Sequence, residues 1–155
     1  MIKPLQVSAG ELPQTHKAEH EGYEYNRREL LPKGAAKHCK AALYEVPPHK
    51  AAFPYHYHLA NEESFYILQG HGMLKTPSGE RPVQAGDFLF FPAQPAGAHK
   101  LTNTSETELL VYLDYDTCHD VDVAFYPDSE KIGVWPDGQG RVYRLADEVD
   151  YYEGE

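Results

Sequence analysis

Between residues 41 and 115 the chain breaks into short runs of alternating polarity, each closed by turn formers, and this rhythm leaves no room for helical crossovers. The turn formers are Pro47-Pro48, Asn61, Gly70, Pro77-Ser78-Gly79, Gly86-Asp87, Pro95-Ala96-Gly97 and residues 103–105. They predict eight strands over 41–46, 51–58, 64–68, 72–76, 81–83, 88–91, 99–103 and 108–115. Eight short strands at that spacing predict an all-β antiparallel barrel or jelly roll. Residues 1–40 read as a lead-in packed on this barrel, with one strand over 23–28. Residues 116–155 read as an acidic extension: a connector, then a hairpin of 132–135 with 141–145 through Pro136-Asp137-Gly138-Gln139-Gly140.

Composition narrows the function classes. A chain of 155 residues, 41% hydrophobic, suits one domain with a true core. It contains no apolar run long enough for a membrane helix, and its first residues lack a signal-peptide core. Two cysteines, Cys39 and Cys118, are too few for a disulfide framework and point to a reducing cytoplasm. The net charge of −10 is uneven: residues 114–155 hold twelve acids against Lys131, Arg141 and Arg144. No basic stripe exists to neutralise phosphates, which argues against nucleic acid or an anionic membrane as partner. The acidic tail itself reads as solvated surface.

Chemistry concentrates in His56-Tyr57-His58, Glu63 and His99. Side chains alternate along a strand, so His56 and His58 share one face while Tyr55 and Tyr57 point away. By the same parity Glu63, Phe65 and Ile67 share a face of the next run, where the carboxylate can sit beside the imidazoles. Three imidazoles and a carboxylate suit a divalent transition metal such as Zn, Fe, Ni or Mn. Four protein ligands close a tetrahedral site but leave two positions open on an octahedral ion. Parity adds Leu101 to Phe65 and Ile67 as cavity wall, with either Phe88 and Phe90 or Leu89 and Phe91. Tyr55, Tyr57 and Tyr66 form an outer aromatic stripe that a terminal segment or a second subunit must cover, and a homodimer is expected. Asn103 reads as a turn former. His49, His71 and His119 read as ordinary surface residues, and Cys118 beside His119 as unrelated neighbours.

These residues resemble the motifs of a small single-domain cupin, a metal-binding double-stranded β-helix. His56, His58, Glu63 and Gly70 match the end of that family's first motif, with four residues before the glutamate and six after it. Lys50 stands where the motif's leading glycine would be. Gly86, Pro92, His99 and Asn103 resemble the second motif, but Pro92 lies seven residues before His99 instead of five. The resemblance covers roughly residues 50–103 and implies that His56, His58, Glu63 and His99 hold the metal. Its spacing selects Glu63 over the competing Glu62. Tyr126-Pro127-Asp128-Ser129 with Lys131 also resembles one branch of small cupins, some labelled sugar-phosphate isomerases.

Three functions follow as expectations. The first is an oxygenase-like metal enzyme acting on a small organic molecule bound in the barrel. The second is a sugar or sugar-phosphate isomerase or epimerase, which needs a general base; Glu62 and Tyr66 are the candidates. The third is a non-catalytic small-ligand-binding barrel. No arginine falls on the ligand-bearing face and Lys100 alternates away from it, which disfavours a phosphorylated substrate. Metal occupancy should collapse as pH falls through about 6 to 5, because ligating imidazoles must be neutral.

Overall fold

The computed structural model describes residues 4–136 and 139–155. The strands are β1 (Thr15–His20), β2 (Tyr23–Glu29), β3 (Cys39–Val46), β4 (Tyr57–His58), β5 (Glu63–Gln69), β6 (His71–Thr76) and β7 (Gly79–Gln84). They continue with β8 (Phe88–Phe91), β9 (Lys100–Asn103), β10 (Leu110–Thr117), β11 (Val121–Tyr126), β12 (Lys131–Pro136) and β13 (Arg141–Arg144). Every pairing between these strands is antiparallel, in the orders β1-β2-β3-β10-β5-β8, β13-β12-β11-β4 and β7-β6-β9. The fold is the jelly roll, a double-stranded β-helix, with its helical content confined to single 3₁₀ turns.

The alternating runs form strands because one face of each is apolar. On β5, Phe65 and Ile67 point inward, and on β8 Leu89 and Phe91 do so, leaving Phe88 and Phe90 outside. With Val46, Leu74, Val83, Leu101, Leu110 and Tyr112 they make one core. Gly70 joins β5 to β6 at φ +80°, and a Cβ there would overlap the Leu109 carbonyl, so the sharp corner requires glycine.

The sequence placed a strand over 51–58, but β4 covers only Tyr57–His58. Pro54 has no N–H to give a ladder, so pairing survives around it as isolated bridges at Ala51 and His56. Residues 1–40 contribute β1 as well as the expected strand, and β2 extends the main sheet by pairing with β3. The connector expected after residue 115 contains a strand: β11 pairs with β4 on one side and β12 on the other. The expected hairpin is present as β12 and β13. Its turn residues Asp137 and Gly138 lie outside the described residues. Phe125 of β11 stacks on Tyr57 with centroids 5.2 Å apart, so a C-terminal strand covers part of the outer stripe. Tyr66 stays exposed.

Candidate metal centre

The centre lies where β4, β5 and the start of β9 meet. His56 and His99 exchange backbone hydrogen bonds of 3.1 and 2.9 Å, which sets the two imidazoles side by side. The loop before His99 departs from the expected spacing yet still delivers it: a 3₁₀ turn spans Pro95–Gly97, and Gln94 donates backbone and side-chain hydrogen bonds to the carbonyls of His58 and Leu59. Glu63 is the first residue of β5 and faces inward.

His56, His58 and Glu63 each present a donor atom within 4.8 Å of the others. Glu63 Oε2 lies 3.5 Å from His56 Nε2 and 3.3 Å from His99 Nε2, and Glu63 Oε1 lies 3.5 Å from His58 Nε2. Two donors each about 2.1 Å from a shared ion sit about 3.0 to 3.4 Å apart at octahedral or tetrahedral angles. The fit extends to the tautomers. His56 Nδ1 donates to the Pro54 carbonyl at 2.8 Å, and His99 Nδ1 to the Gly97 carbonyl at 2.9 Å. His58 Nδ1 bonds the carboxylate of Asp122. With each Nδ1 carrying its proton, each Nε2 turns a lone pair toward Glu63. The buried His99 Nε2 has no hydrogen-bond partner among the described residues. A divalent cation held here would satisfy the lone pairs and the carboxylate together, so the residues fit such a group.

Without a bound cation the electrostatics divide: burial favours neutral His56 and His99, whereas His58 keeps an extra proton that a cation would displace. Burial lowers the His99 pKa to about 4, against the pull of Glu63. Burial also lowers His56. Burial alone would lower His58, but Asp122 and Glu63 outweigh it and raise the pKa to about 9. Burial would raise Glu63, yet the imidazoles hold it well below the carboxylate range.

The cluster opens into a cavity of about 330 Å³. Its aromatic walls are Tyr44, Phe53, Tyr126 and Trp135, and its polar walls include Lys40, Asn61, Asp114, His119 and Asp122. The expected wall of Phe65, Ile67 and Leu101 is barrel core instead. Lys40 supplies a cation that the sequence reading did not place here, and its ammonium lies 2.8 Å from Asp116. Neither Glu62 nor Tyr66 lines the cavity: Glu62 is exposed at the turn, and Tyr66 points outward because it alternates with Phe65. His119, read as surface, lines the cavity, as does its neighbour Cys118, and the His119 ring bonds Asn61 at 2.9 Å. Asn103 is a turn former, as expected: its amide binds the carbonyls of Val46 and Glu108.

The solvated tail is the main correction. Asp114, Asp116 and Asp122 are buried, at 6%, 1% and 5% exposure. Asp114 and Asp116 continue the inward parity of Leu110 and Tyr112 on β10, a signal legible in the alternation itself. Asp114 Oδ1 has no hydrogen-bond partner among the described residues. Burial, then Asp116 and Glu63, push the Asp114 pKa well above the carboxylate range.

Comparison with known proteins agrees with this geometry. The family described as "Cupin domain" matches residues 42–115. The chain contains a small cupin domain. An uncharacterized protein from Methanocaldococcus jannaschii is 32% identical over 85 residues, spanning 54% of this chain and 66% of that protein. A crystal structure from Acidithiobacillus ferrooxidans, provisionally named a sugar phosphate isomerase, superposes with TM-score 0.82 and 29% identity, covering 96% of this chain and 97% of its own. A cupin-superfamily protein from Silicibacter pomeroyi, named a sugar phosphate isomerase, has TM-score 0.83 at 17% identity, covering 96% and 98%. At that identity the likeness carries the fold alone.

Proposed function

We propose that this cupin domain is a metal-dependent isomerase or epimerase of a small hydroxycarbonyl compound. His56, His58, Glu63 and His99 would hold the divalent ion, which draws electron density from the substrate's carbonyl and hydroxyl oxygens when bound. The observation that carries the reading is Asp114: a buried carboxyl, with an unpartnered oxygen, in the cavity that the imidazoles share. Burial, then Asp116 and Glu63, push its pKa up and so favour the protonated acid. Asp114 gives its proton to the carbonyl oxygen, then as carboxylate takes a proton from the adjacent carbon, leaving an enediol. Reversing both transfers on the other carbon restores Asp114 and yields the isomer. The likeness to the Acidithiobacillus ferrooxidans protein supports the same reading.

The test is carbon–deuterium exchange. Protein loaded in turn with Zn, Mn, Ni and Fe(II) is incubated in D₂O with aldoses, ketoses and their phosphates and followed by NMR. Deuterium should enter beside the carbonyl, and Asp114→Asn should stop this while retaining metal. Absence of exchange across the panel removes the reading. Nitric oxide binding to the Fe(II) form, with no exchange, would favour the oxygenase alternative.

We further propose a homodimer through the edge strand β8, whose Phe88 and Phe90 are 65% and 53% exposed beside Tyr66. A twofold copy would pair that open edge and cover both rings. Both cysteines are free, and we place the protein in the cytoplasm.

A further inference from the structure

Trp135, the single tryptophan of the chain, faces the cavity from β12 with its ring centroid 6.4 Å from that of His58. The indole rests on bare backbone at both ends. A Cβ on Gly133 would overlap ring atoms Cη2 and Cζ3, and a Cβ on Gly140 would overlap Nε1. Two glycines therefore seat this ring against the β12–β13 hairpin. Trp135 nevertheless remains only half-buried, so the ring is held in place without disappearing into the core.

Besides the aromatic walls Tyr44, Phe53 and Tyr126, the cavity presents the polar groups of Lys40, Asn61, Asp114 and His119. A slot that is aromatic on one side and hydrogen-bonding on another fits a carbon skeleton bearing many hydroxyls. Its C–H face lies on the indole, and its hydroxyls meet the polar groups. The charges select further. Among the described residues Lys40 is the one lysine lining the cavity, and Asp116 already pairs with it. A divalent ion with Lys40 brings three positive charges, which Glu63, Asp122 and Asp116 balance. Among the described residues no further lysine or arginine lines the cavity to meet a phosphate dianion, a group that such charged donors bind best.

We infer that the site takes an uncharged polyhydroxy carbonyl compound, a free aldose or ketose stacked on Trp135, in preference to its phosphate ester. This rests on the isomerase reading for the carbonyl group, while the stacking and the charge preference can be measured without turnover.

Trp135 is its own reporter. Zinc-loaded full-length protein, in which the closed-shell ion does not quench the indole, is titrated with D-fructose and D-mannose and with their 6-phosphates, following tryptophan emission. The free sugars should shift the emission and saturate, and the esters should bind at least about tenfold more weakly. Gly133→Ala and Gly140→Ala should displace the ring and weaken sugar binding by about tenfold with metal content unchanged. Trp135→Ala, read by calorimetry because it removes the fluorophore, should do the same. Esters that bind as tightly as the free sugars overturn the inference, as does an emission indifferent to both free sugars, or a Trp135→Ala protein with wild-type sugar affinity. Sugar binding without deuterium exchange would sink the isomerase reading and leave this inference standing. Exchange confined to phosphate esters would do the reverse.

Discussion

Asp122 illustrates how one side chain outside the proposed ligand set orients a member of it. Its carboxylate accepts from His58 Nδ1, from the Ala60 and Asn61 amides at 3.0 and 3.4 Å, and from Asn61 Nδ2 at 3.1 Å. It fixes the His58 tautomer and makes the ring a better donor. Asp122→Asn offers an amide where His58 needs an acceptor, so metal affinity should fall about 10- to 100-fold in competition with a chromophoric chelator. Unchanged affinity would remove Asp122 from the centre. Asp114 gives a pH prediction with a definite sign. Its native pKa is raised, so above the ordinary carboxylate pKa of about 3.9 the native state keeps a proton that the unfolded chain releases. This contribution is fully present at low pH and is lost as pH rises through the native pKa. Asp114→Asn removes that loss, so its melting temperature relative to the native protein should climb with pH while exchange activity disappears. A pH-independent difference would contradict the assignment.

At the scale of elements, β11 links the C-terminal hairpin to the candidate metal centre. Ala124 is fully buried and sits opposite His58 in the ladder. Ala124→Leu should overpack this contact at a cost of about 1–3 kcal/mol, push β11 off β4, and lower metal affinity without touching any ligand. Equal affinity at reduced stability would detach β11 from the site. The strands of the barrel were legible because alternation and turn formers agree, as in Phe88–Phe91, where the expected and observed bounds coincide. The face that brings His56, His58 and Glu63 together was legible for the same reason. What escaped was anything set by tertiary contact: β4 cut short by Pro54, β1 with little apolar periodicity, and β11, whose inward residues Asp122 and Tyr126 disguise a strand as an acidic linker. Composition misled at Asp114 and Asp116, because counting charge along the chain ignores which face a strand presents.

For the whole molecule, the proposed twofold contact at β8 predicts that Phe88→Lys combined with Phe90→Lys yields a monomer by light scattering, with metal content intact. A native protein that is already monomeric would contradict it. The central claim is that His56, His58, Glu63 and His99 share one cation within the barrel. An anomalous difference map from crystals grown with zinc tests it most directly. We expect one peak per chain, about 2.0–2.2 Å from Nε2 of all three histidines and from a Glu63 oxygen. A centre with no peak, or an ion held without the His99 imidazole, would contradict the account.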